Sequence, residues 1–280
     1  MIEVIASDTQ VKVVLGEKGM HDDGHIMVTV PGYLKNRLSA KKCSLDLSSL
    51  KMIVYDEADE LFVQQSNHEC FLLLKKHLGN LNVTPQHCLY SATYTDQVMS
   101  FTQRIVGEFQ HFPIKRAAQK LKGVQNYKMQ MSEADKVDFV VKLHTTLERA
   151  MTMIFVNRKD TAQLLQSRLQ ARQIESKILI GGLETGDRDT IIDGFRQGFF
   201  TTLISTNVLA RGIDVPEVDL VINYDVPMVS KCGFMDPDYE NFLHRVGRTG
   251  RFGTDGLALT LMSQDIDPEL VRLLGEHYDI

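Results

Sequence analysis

The amino-acid sequence predicts an α/β fold with two unequal parallel-sheet lobes joined by a basic linker. Short apolar runs alternate with amphipathic stretches along the 280 residues, which is the pattern of parallel βαβ units. The chain is long for a single hydrophobic core and suits two smaller ones. Between Gly107 and Val124 the alternation stops, and a proline, two glycines and four basic residues occur in this stretch. Such a composition is typical of an interdomain linker.

The elements of the first lobe follow from apolar runs and helical spacing. The predicted strands are Val11–Leu15, Ile26–Val30, Met52–Tyr55 and Cys88–Tyr90. The predicted helices are Tyr33–Leu38, Cys70–Leu78 and Asp96–Val106. Thr95 is the predicted N-cap of the last helix, because a threonine oxygen accepts a hydrogen bond from an amide of the first turn.

The second lobe is more regular, with apolar runs and amphipathic stretches in close alternation. Its predicted strands are Asn126–Met131, Thr152–Val156, Lys177–Ile180, Thr201–Ile204, Leu220–Tyr224 and Leu257–Leu261. Its predicted helices are Ala134–Leu147, Thr161–Arg172, Arg188–Arg196 and Pro268–Glu276.

Composition excludes some classes of protein and leaves others open. Hydrophobic residues make up 43% of the chain and charged residues 24%, close to the globular average, which argues against disorder. The net charge of −5 argues against a protein that coats nucleic acid by bulk charge, although a local basic strip could still grip phosphates. The sequence has no apolar run of membrane-span length. Its four cysteines form no CxxC pair, so we expect free thiols and no zinc site.

An acidic tetrapeptide, Asp56–Asp59, follows the predicted strand Met52–Tyr55. Carboxylates at the carboxyl end of a buried strand face the crevice where α/β sheets bind ligands. Phosphoryl transfer needs one acid to hold Mg²⁺ and a second to orient the attacking water, and Asp56 and Glu57 could divide these tasks. The alternative is an acidic strand end before an ordinary loop.

A basic segment, His244–Arg251, reads HRVGRTGR. Arg248 and Arg251 lie three positions apart, so on one helical turn they would point the same way. Two guanidinium groups so placed suit the charge that spreads over a γ-phosphate in its transition state. A solvated basic turn and a contact strip for a phosphate backbone remain alternatives.

Two further segments lie close to the ends of predicted strands. Thr206–Asp214 suits a nucleotide or RNA contact, but an ordinary β-to-α connection has the same position. Ser91–Thr93 reads SAT and carries little information by itself.

The order of these segments is more specific than any one of them. DEAD, SAT, ARGID and HRVGRTGR occur in that order, with the predicted linker between the second and the third. In this the chain resembles the DEAD-box ATP-dependent RNA helicases of superfamily 2. The resemblance implies two RecA-like lobes that close over ATP and single-stranded RNA. Val28–Gly32 is similar to the RNA-contacting TPG motif of the family, and Met153–Asn157 is similar to the strand of its motif IV.

The resemblance also implies roles for single residues. Asp56 would hold Mg²⁺ through water, Glu57 would act on the attacking water, and Arg248 and Arg251 would be the arginine fingers. Around the ATP, Asp59, Gly212 and Asp214 are the further implied contacts, with Asp214 at the ribose. The implied RNA contacts are Thr29, Pro31, Gly32, Gly181, Arg188 and Thr206. The residues implied in coupling the lobes are Asp59, Ser91, Thr93 and His244.

One segment narrows the resemblance to the mRNA-export subfamily. Met228–Leu243 is longer than the matching stretch of most DEAD-box proteins, and Asp236–His244 is similar to a PDxExYLHR stretch of the export helicases. This subfamily implies a nucleoporin and an export activator acting with inositol hexakisphosphate as partners. We expect a cytoplasmic monomer that does not enter membranes and also works in the nucleus or at the nuclear pore.

The sequence departs from the family in one respect, because no G-x-x-x-x-G-K-[ST] phosphate-binding pattern occurs in the 280 residues. Gly16–Gly19 is the nearest cluster and lacks the spacing and the terminal hydroxyl. The family places the Q motif, the P-loop and a PTREL-like motif before residue 1, so we expect the first lobe to be incomplete. The predicted domains are lobe 1 over 1–113, a linker over 114–124 and lobe 2 over 125–280.

Two explanations of this departure stay open. The sequence is a fragment or incomplete gene product of an ordinary ATP-dependent helicase, or it is a shortened protein that binds RNA or a helicase without hydrolysing ATP. The carboxylates and arginines make chemical sense beside a P-loop, which favours the first explanation.

Overall fold

The structure is a computed structural model that describes most of the chain. The described residues are 11–16, 24–40, 45–91, 93–113, 123–147, 150–206, 218–231, 234–250 and 255–263, with positions 272 and 275. Contacts divide the chain into two compact units, which we call unit 1 (Met1–Phe112) and unit 2 (Pro113–Ile280).

Unit 1 contains two pairs of parallel strands and four helices among its described residues. The strands are β1 (Val13–Gly16), β2 (Ile26–Thr29), β3 (Met52–Tyr55) and β4 (Gln86–Leu89), with β1 paired to β2 and β3 to β4. The helices are α1 (Pro31–Ser39), α2 (Ala58–Val63), α3 (Gln65–Asn80) and α4 (Asp96–Val106).

The core of unit 1 lies on one face of its strands. Tyr55 of β3 is buried among aromatic side chains of α2, α3 and α4, and the ring centroids of Tyr55 and Phe62 are 5.4 Å apart. Such edge-on ring pairs suit the quadrupoles of aromatic groups. The alternate residues of β3 point to the opposite face, where Met52 is 50% exposed and Val54 is 56% exposed.

Unit 2 is built on six parallel strands. The strands of this sheet are β5 (Val124–Met131), β6 (Thr152–Val156), β7 (Ser176–Leu179), β8 (Thr202–Thr206), β9 (Leu220–Asn223) and β12 (Gly256–Ser263), in the spatial order β5-β12-β9-β6-β8-β7. Two short strands between β9 and β12, β10 (Met228–Lys231) and β11 (Phe234–Pro237), form a separate antiparallel hairpin. The helices are α5 (Glu133–Thr146), α6 (Lys159–Gln170), α7 (Thr185–Arg196) and α8 (Tyr239–Val246).

Helices cover both faces of the unit 2 sheet, as parallel sheets require. Side chains of α5 and α6 pack with Ile154, Ile204 and Ile222 on one face. Side chains of α7 and α8 pack with Met153 and Phe155 on the other. Every residue of β6, β8 and β9 is therefore buried.

The mixed α/β fold with parallel sheets is as predicted, but several elements differ from the prediction. Helix α2 begins at Ala58, inside the DEAD tetrapeptide. Helix α8 and the β10–β11 hairpin occupy a stretch for which no element was predicted. Strand β4 ends at Leu89, before the SAT segment. The predicted helix Pro268–Glu276 lies almost wholly outside the described residues.

Candidate functional site

The two acidic residues predicted for catalysis lie at the carboxyl end of β3. Asp56 is exposed, and its Oδ1 accepts a hydrogen bond of 3.1 Å from the backbone N–H of Glu57. Glu57 is half-buried and has a left-handed backbone, with φ 50° and ψ 52°. A residue other than glycine in this region carries about 1–3 kcal/mol of strain and is found where the surroundings fix it. The bend places Ala58 at the start of α2, and its N–H donates to the carbonyl of Tyr90 across 3.0 Å.

The last acid of the tetrapeptide is held by the SAT segment. Asp59 is buried, and the Thr93 hydroxyl donates to its Oδ2 across 2.6 Å. The backbone N–H of Asp59 donates to Ser91 Oγ across 3.2 Å. Nearby, burial and then the charge of Asp59 raise the pKa of the Tyr94 hydroxyl. Three residues predicted to couple the lobes are thus joined to one another inside unit 1.

The predicted RNA contacts of unit 1 lie where β2 passes into α1. The Thr29 hydroxyl donates to the carbonyl of Gly16 across 3.2 Å, which ties β2 to β1. Pro31 is in the first turn of α1, where its missing N–H costs nothing and its fixed φ suits a helix. A Cβ at Gly32 would meet no atom within 4 Å, so this turn is open to a ligand backbone.

The predicted RNA contacts of unit 2 lie at the carboxyl side of β7 and β8. Gly181 follows β7, and Arg188 lies in the first turn of α7, where it is half-buried. Thr206 is the last residue of β8 and is only 7% exposed. Gly212 and Asp214 lie outside the described residues.

The basic segment of unit 2 begins on α8 and continues past its end. His244 lies one turn after Glu240, with 3.7 Å between His244 Nε2 and Glu240 Oε1. Helix α8 ends at Val246, and Arg248 is in the turn that follows it. This turn is fixed, since the N–H of Val218 donates to the Arg248 carbonyl across 3.1 Å. Arg251 is outside the described residues.

Sequence reasoning missed Arg245, which lies between the predicted residues His244 and Arg248. Its Nη1 donates to the Asp225 carbonyl across 2.7 Å, and its Nη2 donates to Asn157 Oδ1 across 3.0 Å. Burial lowers the pKa of Arg245 to about 9, so it still carries its charge at neutral pH. Burial likewise raises the pKa of the Asp225 carboxyl. The signal available in the sequence was a polar residue directly after each of two predicted strands, at Asn157 and Asp225.

A further buried cation, Lys136 of α5, was also missed. Its Nζ lies 2.8 Å from Glu133 Oε2 and donates to the carbonyl of Tyr224 across 3.2 Å. The ammonium also lies 5.3 Å from the centroid of the Tyr224 ring. Lys136 thus joins α5 to the end of β9, on the strand that Arg245 also reaches.

The residues fit Mg²⁺ bound largely through water. Within the described ranges no three His, Cys, Asp or Glu residues come together as a metal cage. An exposed single carboxylate such as Asp56 suits Mg²⁺, which keeps several waters and takes one or two protein carboxylates together with substrate phosphates. In the part of the chain that the structure describes, no helix is long and apolar enough to cross a membrane.

Comparison with protein families gives two matches. The DEAD/DEAH box helicase family matches residues 3–102, and the helicase conserved C-terminal domain matches residues 135–253. The chain is 35% identical over 265 residues to the ATP-dependent RNA helicase dbp5 of Sclerotinia sclerotiorum, covering 94% of this chain and 55% of that protein. The chain therefore spans about half the length of the curated relatives it matches.

Solved structures agree with these matches. Saccharomyces cerevisiae Dbp5 bound to RNA and ADP BeF3 is similar with a TM-score of 0.83 at 31% identity, over 100% of this chain and 71% of that one. A variant of the same yeast protein bound to Nup159, Gle1, IP6 and ADP is similar with a TM-score of 0.67 at 28% identity, over 99% of this chain and 70% of that one.

Proposed function

Because the chain belongs to the DEAD-box family of RNA helicases, we propose that it takes part in RNA-stimulated ATP hydrolysis coupled to local opening of RNA duplexes or displacement of bound proteins. The observation that carries this proposal is the arrangement around Asp59. Its contacts with Ser91 and Thr93 join the DEAD and SAT segments at the carboxyl ends of two paired strands. Ligands of α/β sheets bind at this edge.

The carboxylates of unit 1 would serve the attacking water and the metal. Asp56 would hold Mg²⁺ through water, and the metal would neutralise charge on the phosphates of ATP. Glu57 would accept a hydrogen bond from the attacking water and orient it. The left-handed backbone of Glu57 directs this residue differently from a continuing strand, which supports separate tasks for the two acids.

The basic residues of unit 2 would serve the transferred phosphoryl group. Arg248 and Arg251 would stabilise its developing negative charge, His244 would take part with Asp59, Ser91 and Thr93 in coupling the lobes, and Gly212 and Asp214 would contact the nucleotide. The fixed turn at Arg248 supports this role, since a preorganised donor needs little reorganisation during the reaction.

RNA would bind through its backbone along both units. Thr29, Pro31 and Gly32 in unit 1, with Gly181, Arg188 and Thr206 in unit 2, would contact phosphates and 2′-hydroxyls. Such contacts give little sequence preference. The open first turn of α1 supports this assignment, because backbone N–H groups at a helix start bind phosphates.

The wider role we propose is mRNA export. The yeast relative binds Nup159 and Gle1 with IP6, and the insert that contains β10 and β11 is the segment in which this sequence resembles export helicases. We propose the same classes of partner here, and we propose that the protein works in the cytoplasm and at the nuclear pore. The domains that we propose are lobe 1 over 1–113, a linker over 114–124 and lobe 2 over 125–280.

The test is RNA-stimulated phosphate release by the 280-residue chain and by Glu57→Gln. The matched control is Glu60→Gln, the same change one helical turn away on α2. We expect any RNA-stimulated turnover to be lost in Glu57→Gln and to persist in Glu60→Gln.

Equal turnover in both variants would contradict the role of Glu57. RNA binding without turnover would support a second candidate function, an RNA-binding or helicase-binding protein without ATPase activity. This candidate agrees with the lack of a phosphate-binding G-x-x-x-x-G-K-[ST] pattern in the 280 residues.

A further inference from the structure

The guanidinium of Arg245 lies inside unit 2 with no exposed surface. It reaches two different strand ends, because it donates to Asn157 beyond β6 and to the Asp225 carbonyl beyond β9. Its Cζ lies 5.2 Å from the centroid of the Phe155 ring, so one face of the planar group is stacked. An arginine that only filled space would be replaced at lower cost by an apolar residue, since burying its charge is expensive.

The groups that accept from Arg245 are themselves fixed. The N–H of Asn157 donates to Asp225 Oδ2 across 2.6 Å, and its Nδ2 donates to the Val226 carbonyl across 2.9 Å. These bonds leave Asn157 Oδ1 directed at the guanidinium. The fork of Arg245 therefore meets a preformed pair of acceptors, which sets the position and the rotation of α8.

The main chain of Arg245 continues this constraint into the basic segment. Its carbonyl accepts from the N–H of Arg248 across 3.1 Å, and it also accepts from the N–H of Gly247. His244 precedes it on α8, whose last residue is Val246. A movement of the Arg245 side chain would therefore shift both functional neighbours together.

We propose that Arg245 is a positioning residue that fixes the direction of His244 and Arg248 through its bonds to Asn157 and Asp225. This inference rests on the proposed function for the roles of His244 and Arg248. Arg245 itself does not touch nucleotide, because its guanidinium is fully enclosed. Its part in the reaction is to hold the guanidinium of Arg248 in a ready position.

A purely stabilising role for Arg245 is the alternative, and Lys136 offers a matched control. Lys136 is also a buried cation, 2% exposed, and it also donates to a carbonyl at the end of β9. It lies on α5 and has no described bond to α8 or to the turn after it. Removing either cation should lower stability, but only Arg245 should affect the geometry of the basic segment.

The first experiment uses NMR of the full chain with ¹⁵N-labelled arginine and histidine. In Arg245→Lys we expect shifted signals of Arg248 Nε–H and the His244 ring, and exchange of the amides of Gly247–Thr249 faster by about tenfold or more. In Lys136→Met we expect a lower melting temperature with these signals unchanged. Arg248→Lys assigns the Arg248 signal.

Two results would overturn the proposal. One is unchanged Arg248 and His244 signals in a folded Arg245→Lys protein, and the other is the same change in Lys136→Met. If Arg245→Lys does not fold, Asn157→Ser removes one acceptor without altering the arginine and should move the same signals by less. Unmoved signals in Asn157→Ser would then decide against the proposal.

A kinetic cycle separates this inference from the proposed function. We expect Arg245→Lys to lower kcat by about 100-fold with little change in the KM for ATP, because small misplacements of a catalytic group have effects of this size. In an Arg248→Gln background the same change should have little further effect. Full additivity would contradict positioning. Absence of turnover in the unchanged chain would contradict the proposed ATPase function alone, since the NMR result does not depend on it.

Discussion

The central strands β6, β8 and β9 of unit 2 are covered on both faces, whereas β2 and β3 of unit 1 each expose one face. Every residue of β6, β8 and β9 is buried, but β3 exposes Met52 and Val54, and β2 exposes Ile26 and Val28 at 40% each. The described helices of unit 1 all pack into clusters on the side of Ile53 and Tyr55. A parallel strand thus owes its stability to the layers on both sides of it and not to its apolar sequence alone.

This difference extends to the functional groups. In unit 2 the turn that carries Arg248 rests on a buried network that joins α8 to two central strands. In unit 1 the bend that carries Asp56 and Glu57 rests on the Asp59 contacts and on the edge of a two-stranded sheet. We therefore expect the turn that carries Arg248 to be more rigid than the bend that carries Asp56 and Glu57.

The largest expected effect comes from matched truncations in the two sheets. Ile154→Ala in β6 should lower the free energy of unfolding of unit 2 by about 2–5 kcal/mol, because Ile154 is fully buried. Val54→Ala in β3 should cost less than about 1 kcal/mol, because Val54 is 56% exposed. Denaturant titration of the full chain with a probe in each unit measures both values. Equal losses would remove the distinction between the sheets.

The second effect concerns the buried carboxylate of unit 1. Thr93→Val removes the hydroxyl that donates to Asp59 and should lower the stability of unit 1 by about 1.5–3 kcal/mol, the range for hydrogen bonds to charged groups. Thr93→Ser keeps the donor and should lose much less. Urea unfolding of the two variants measures the difference, and identical curves would show that the hydrogen bond contributes nothing.

A smaller effect tests whether helix ends differ between the units. The side chains of Thr95 and Ser132 cap α4 and α5 by accepting from the N–H groups of Val98 and Asp135. Thr95→Ala and Ser132→Ala should each lower the stability of their unit by about 1 kcal/mol. Similar losses in the two variants, measured by thermal unfolding, would assign the difference in stability between the units to their sheet faces. A large imbalance would assign it to the helix ends.

The smallest effect is a shared sensitivity to acid. Burial lowers the pKa of His87 in unit 1 and of His144 in unit 2 below the ordinary value of 6.5. Both rings are therefore held neutral in the fold, and the stability they contribute is complete above pH 6.5 and is lost as the pH falls through the lowered values. His144→Gln should make the melting temperature of unit 2 less dependent on pH between about 7 and 5. An unchanged dependence would exclude His144 as its source.

Local patterns predicted the regular elements well. The bounds of Met52–Tyr55, Thr152–Val156 and Asp96–Val106 agree with β3, β6 and α4, because each is a continuous apolar run or an evenly spaced amphipathic stretch between clear breaks. The Thr95 cap is confirmed for the same reason, since capping depends on residues only three positions apart.

What could not be predicted depends on contacts between distant parts of the chain. Arg245 and Asn157 are 88 positions apart, and Asp59 and Thr93 are 34 apart. No local pattern marks that Arg245 will bond to groups at the ends of two distant strands. Helix α2 was missed because the left-handed bend at Glu57 starts it where a loop was expected. The exposure of one face of β3 could not be predicted from the sequence either, because the apolar run of β3 resembles that of the buried strand β6.

Hydrogen exchange of the full chain, read at single amides, tests the comparison of the two units most directly. The amides to compare are those bonded within the β3–β4 pair and those bonded among β6, β8 and β9. We predict that the unit 2 amides exchange at least about 100-fold more slowly, because they open only when fully covered strands unfold. Equal or slower exchange in β3 and β4 would contradict it.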